Sequence, residues 1–198
     1  GVVKFVSARP DTESVFGRAK IRAGEQGLVD LEASVNVPLG DNGWAMNLFG
    51  FAMEDDGYLV NPNTTRTNGL ATNNNKDVGE VEEQGARVSI TGPLSENLSA
   101  YMSLRFNDLD APNNAWIREL DETLDHPNIV ATSKNNRHER ETFAGMLELT
   151  LELENVDVIS LTSFTDTDSS RLSDLDIREE FLLDLERPEG MKVFTQEL

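Results

Sequence analysis

The sequence predicts an all-β chain, an antiparallel up-and-down meander forming part of a large transmembrane β-barrel. Three observations lead there. Apolar and polar residues alternate over long runs, several runs reach about ten residues, and the connections between them alternate between short and long.

The elements follow in chain order. The first strand is expected near Val15–Gly24, where Arg18, Lys20 and Arg22 alternate with Ala19, Ile21 and Ala23. In the second, Gly27–Val37, Val29, Leu31, Ala33, Val35 and Val37 alternate with Asp30, Glu32, Ser34 and Asn36. The third is Trp44–Asp55 and the fourth Gln84–Thr91. The fifth, Leu98–Asp108, sets Leu98, Ala100, Met102, Leu104 and Phe106 against Ser99, Tyr101, Ser103, Arg105 and Asn107. The sixth, Glu141–Leu153, contains Leu-Glu-Leu-Thr-Leu-Glu-Leu; the seventh is Val156–Asp166, and Val193–Leu198 begins an eighth. Successive strand side chains point to opposite faces, so each run has one apolar and one polar face. A helix would smear the same charges around its circumference. Globular strands usually run to five or six residues, whereas a strand that crosses a bilayer needs about nine to eleven.

The short connections, Pro38–Gly43, Gly92–Asn97 and Glu154–Asn155, are built from turn formers. The long ones, Asp56–Glu83, Leu109–Arg140 and Thr167–Lys192, follow the third, fifth and seventh strands. In a meander whose strands each pair with their sequence neighbour, the short turns then gather at one end and the long loops at the other. Outer-membrane barrels have that asymmetry. Glu25–Gln26 is the exception, a short connection on the loop side. Within the loops, Trp116, Leu120 and Leu124 suit a short helix over Asn114–Asp125, and Asn61–Asn75 is rich in asparagine and threonine.

Composition bounds the function. Aspartate and glutamate total 36 against 17 lysines and arginines, a net charge of −19 in 198 residues. Such a surface repels phosphate backbones, so no nucleic-acid partner is expected. Cysteine is absent, which removes disulfides, thiolate metal sites and cysteine nucleophiles. The longest uncharged stretch, Asn42 to Met53, is twelve residues, too short for a membrane-spanning helix. The chain opens Gly-Val-Val-Lys-Phe, without methionine or the pattern of a signal peptide, and is expected to be a piece of a longer protein. No nucleophile motif, phosphate loop or zinc signature is present. No enzyme activity and no cofactor is expected.

Four short blocks carry a resemblance. Gly1–Pro10 resembles the end of the plug domain of TonB-dependent outer-membrane receptors, which closes with a glycine, a β-branched strand and a Lys/Arg-Pro pair. Val35-Asn36-Val37-Pro38-Leu39, the aromatic run Trp44–Phe51 and Glu54-Asp55-Asp56-Gly57-Tyr58 are similar to the first barrel strands of that family. Gly92–Ser99 resembles a periplasmic turn, and Phe194–Leu198 the start of another strand. The resemblance implies residues 1–10 as the end of a plug and residues 11–198 as seven to eight strands of the barrel. It implies uptake of a scarce nutrient, such as a ferric siderophore, across the outer membrane of a Gram-negative cell. It further implies as partners TonB, membrane lipid, the plug and the remaining strands; the family barrel has about 22 strands, of which this chain would hold about a third.

Candidate site residues follow from the faces. Arg18, Lys20, Arg22, Asp30, Glu32, Arg87, Arg105, Glu148 and Glu152 are expected to line the lumen. The basic row of the first strand is expected to pair with Asp30 and Glu32 on the next, and it is also placed to steer an anionic substrate inward. Trp116, His126 and His138 are candidate loop contacts to a ligand, although a lone loop histidine is more often simply solvated. The carboxylate pairs Asp166/Asp168 and Asp174/Asp176 fall on a presumed loop without the full calcium-loop pattern. Trp44, Tyr58, Phe106 and Phe164 near strand ends fit aromatic girdles. The rival reading is a soluble or secreted antiparallel β binding module. The discriminator is the direction of the apolar face.

Overall fold

The computed structural model describes residues 9–59, 66–67, 70–71, 79–113, 136–175 and 182–198. The chain is all-β, and among the described residues there is no helix. Eight strands form one antiparallel sheet: β1 (Phe16–Ala23), β2 (Val29–Pro38), β3 (Ala45–Asp55), β6 (Val81–Pro93), β7 (Leu98–Pro112), β8 (Arg137–Glu152), β9 (Asp157–Asp174) and β10 (Asp184–Glu197). A separate two-stranded ladder joins β4 (Arg66–Thr67) to β5 (Leu70–Ala71). In the large sheet every strand pairs with its neighbour along the chain, up and down, with no crossover. The sheet is open, since β1 and β10 each pair on one side only.

All eight expected strands form, and five are longer than the alternation indicates. β6 begins at Val81, β7 runs on to Pro112, β8 begins at Arg137, β9 continues to Asp174 and β10 starts at Asp184. The added residues are mostly polar on both faces, with scattered apolar ones such as Val81, Leu109, Leu172 and Leu185, so period-two hydrophobicity does not mark them as strand. Their backbone groups are satisfied by the ladder itself. The loops shrink accordingly. Asp166, Asp168 and Asp174 lie on β9, and His138 lies on β8; these are corrections to their placement in loops. Phe106 and Phe164 become mid-strand residues for the same reason. The expected helix over Asn114–Asp125, with Trp116, and also His126, Asp176 and residues 1–8, lie outside the described residues.

The short turns gather at one end. A Cβ on Gly92 would run into the Trp44 ring, one on Gly43 would approach Pro93, and the Glu152 amide donates to the Asn97 carbonyl. At the other end the Leu175 amide donates to the Leu183 carbonyl, and Asn113 reaches Ser173. The tight β1–β2 turn also lies there. Gln26 and Gly27 have φ of 59° and 73°, and the Asp56 amide donates to the Gln26 carbonyl.

The cross-strand register sorts the side chains. One face carries Ile21, Leu31, Val35, Leu48, Val88, Met102, Leu104, Leu147, Leu149 and Leu151. The opposite face carries Arg18, Lys20, Arg22, Asp30, Glu32, Arg87, Arg105, Glu148 and Glu152. The polar face is the inner one. Asp30, Asn36, Ser89 and Tyr101 on it are buried, whereas Ile21, Leu31, Leu48, Met102 and Phe143 on the apolar face are exposed. A single cleft on the polar face takes its walls from six strands, β3 and β6 to β10, so the sheet curls around that side. The segment before β1 crosses the same hollow. Arg9 pairs with Glu148 on β8 and stacks over the Tyr101 ring at 5.1 Å, while Asn36 on β2 donates to the Asp11 and Ser14 carbonyls.

Candidate functional site

The inner-face charges are arranged differently at the two ends of the sheet. On β1 and β2 they are matched: Lys20 donates to Glu32 at 2.8 Å, and Arg22 pairs with Asp30, whose side chain is almost fully buried. Antiparallel pairing puts each of these residues directly opposite its partner, where opposite charges stabilise a sheet. Arg18 faces Ser34. Farther along the chain Glu148 is matched by Arg9, near the short turns. Glu152 lies at the end of β8, exposed and opposite Asp157.

Toward the loop end the pattern changes. The cleft there has a volume of about 630 Å³ and is lined by Arg87, Arg105, Arg140 and Arg171, with His138 beside them. Among the described residues, Glu83 and Glu189 bring negative charge to it. Glu83 accepts a hydrogen bond from Asn107 at 2.9 Å, and Glu189 is shared between Arg187 at 2.7 Å and Arg171 at 3.9 Å. Strand register creates the concentration of charge. Arg87 stands directly opposite Arg105, and His138 directly opposite Arg171. Arg87 also lies over the Phe49 ring, 5.6 Å from its centre. Among the described residues, Arg105 and Arg140 have no carboxylate within ion-pairing distance. Arg140 Nε and His138 Nε2 are buried atoms without a hydrogen-bond partner. The floor is hydroxyl-rich, with Thr142 and Thr167 in contact at 3.2 Å.

His138 sits above the apolar band on the loop side. Burial holds its pKa below the ordinary imidazole value, and Arg171 and Arg140 push the same way against Glu189. The imidazole is therefore biased to the neutral form, first by its burial and then by the neighbouring cations.

The outer face carries the complementary charge. Above the apolar residues stand two rows of carboxylates. One contains Glu54, Glu82, Asp110 and Glu139, and the other contains Asp108, Glu141 and Asp168. Arg137 pairs with Asp110. Among the described residues no cluster of three or more carboxylates and histidines has metal-binding geometry. Asp166, next to Asp168 on the same outer face, accepts from Lys192 at 2.8 Å across the β9–β10 ladder.

The alternation marked Arg87 and Arg105 as inward. It did not mark Arg140 or Arg171, because both lie in stretches read as loop. The signal that finds them is the continued register of β8 and β9, with every second residue facing inward. No protein-family model, no curated protein and no solved structure matches this chain.

Proposed function

We propose that the chain is a sector of an outer-membrane transport receptor of the TonB-dependent kind, with its convex face against lipid. In this reading residues 1–10 end a plug, residues 11–198 form barrel wall, and the cargo is a scarce nutrient such as a ferric siderophore. The observation that carries the reading is the inverted burial of the sheet. Exposed apolar side chains form a band on the convex face, bounded on the loop side by the carboxylate rows. The band runs from Leu98 to Phe106 on β7 and from Phe143 to Leu151 on β8, nine residues on each strand. Eight steps at about 3.3 Å give about 26 Å along the strand, or about 20 Å of height at the usual tilt. Known barrels of this type carry an apolar band about 25 Å tall. Phe106 and Phe143 pair at its upper border, and Trp44 stands near the short turns at the lower. The soluble β-module reading calls for the reverse arrangement, with apolar side chains in the hollow.

Fluorescence quenching in vesicles tests the reading. The chain has no cysteine, so single cysteines placed along β7 report without background. Probes at positions 100, 102 and 104 are expected to be quenched by bromine carried on lipid tails, and probes at 99, 101 and 103 to be spared. Quenching without a period of two, or a compact soluble monomer by sedimentation in plain buffer, overturns it.

A further inference from the structure

We propose that the arginine cleft is a capture site for an organic polyanion bearing at least two carboxylate or phosphate groups. The role as cargo capture rests on the receptor reading above; the binding chemistry does not.

Like charges directly opposite each other on neighbouring strands destabilise a sheet, and Arg87 faces Arg105 in this way. A chain of net charge −19 has carboxylates to spare, yet the register puts many of them on the outer face. Inside, Arg105 and Arg140 line the cleft with no carboxylate within ion-pairing distance among the described residues. Buried donors normally have partners, and Arg140 Nε has none among the described residues. An oxyanion placed between the guanidinium groups would relieve each of these penalties. Arginine suits the task because its planar fork meets a carboxylate or phosphate through two parallel hydrogen bonds.

The register also sets the size of the ligand. Arg105 pairs with Ala144, and Arg140 lies four residues from Ala144 along β8, on the same face. Four strand steps are about 13 Å, so the arginine pair and Arg140 suit the two ends of a multivalent anion better than one small ion. Phe49 and Phe51 give the cleft an apolar side wall for the carbon skeleton.

The experiment titrates the protein with citrate and, separately, with inorganic tripolyphosphate at 0.15 M sodium chloride, with sucrose as the neutral control. Calorimetry measures affinity, and NMR follows the His138 ring in a His126→Gln background that leaves one imidazole. Saturable binding of either probe supports the proposal, and the tighter probe separates carboxylate from phosphate chemistry. Arg105→Gln and Arg140→Gln should each weaken it about tenfold or more, since hydrogen bonds to charged groups are among the strong ones. Arg140→Lys should weaken it less, and Lys192→Gln on the outer face should leave it unchanged. Bound anion should raise the His138 pKa by offsetting Arg140 and Arg171; Glu189 is the acidic group already acting on the ring. The proposal is overturned by an absence of saturable binding, by equal binding to the arginine variants, or by a His138 resonance that ignores the anion. The NMR arm uses the natural cleft, so it holds even where an arginine variant fails to fold. Anion binding without the period-two lipid quenching keeps the cleft and sinks only the receptor reading.

Discussion

Asn36 shows how single polar residues hold the inner face together. It is 1% exposed, accepts from the Asp11 amide at 2.9 Å, and donates to the Asp11 and Ser14 carbonyls. Asn36→Ala removes three bonds and strands the Asp11 amide, so a loss of about 2–3 kcal/mol is expected from the urea midpoint. The segment around Pro10 should also become an early site of limited proteolysis. Glycines make a second test. A Cβ on Gly40 (φ 86°) would meet only Asn42 Oδ1, at an ordinary contact distance of 3.8 Å, whereas one on Gly57 (φ 71°) would collide with the Gly79 backbone. Gly40→Ala should cost about 1–2 kcal/mol from the left-handed conformation alone, and Gly57→Ala clearly more. His138 supplies a pH test. Its folded pKa lies below the unfolded value, so the unfolded chain binds the extra proton first as pH falls. Its contribution to stability is thus fully present above the ordinary imidazole range and is lost as pH drops through and below about 6.5. Comparing the urea midpoints of the parent and His138→Gln at pH 8 and pH 5 checks this. The parent should lose more on acidification.

At the scale of strands, position in the sheet decides local stability. β7, β8 and β9 are long and paired on both sides, while β1 and β10 are edges. Hydrogen exchange should be slowest in β7 and β8 and fastest in β1 and in the outward-facing amides of β10. Val193, Phe194 and Met191 are exposed on β10, so this edge is also the expected route of self-association when no further strand covers it. The strands that ran longer than expected did so at the loop end, where alternation fades because both faces are mostly polar. Much of the arginine cleft lies there. A pattern that reads burial is blind to strands whose faces are both wet.

For the whole molecule, the decisive feature is which side the charges face. Under the receptor reading Met102 lies near the middle of the lipid-facing band, and Met102→Arg should cost about 2–4 kcal/mol of folding stability in bilayers. Arginine three residues away, at position 105, is already accommodated because it faces the hollow. Equilibrium unfolding in vesicles measures the difference; a near-neutral Met102→Arg would argue against lipid contact.

The sequence by itself determined the all-β class, the existence and order of eight strands, their pairing with chain neighbours, and which residues share a face. Each follows from local physics: side chains alternate along a strand, and turn residues break the alternation. The concave polar face and the open sheet were expected only through the resemblance to a sector of a larger barrel; tertiary structure alone decided that Arg87, Arg105, Arg140 and Arg171 converge. Alternation separates two faces without saying which one curls inward, because curvature arises from the twist and stagger of many strands together. The cleft depends on cross-strand register between residues 49 and 191, and register is a relation between distant segments that no single segment encodes.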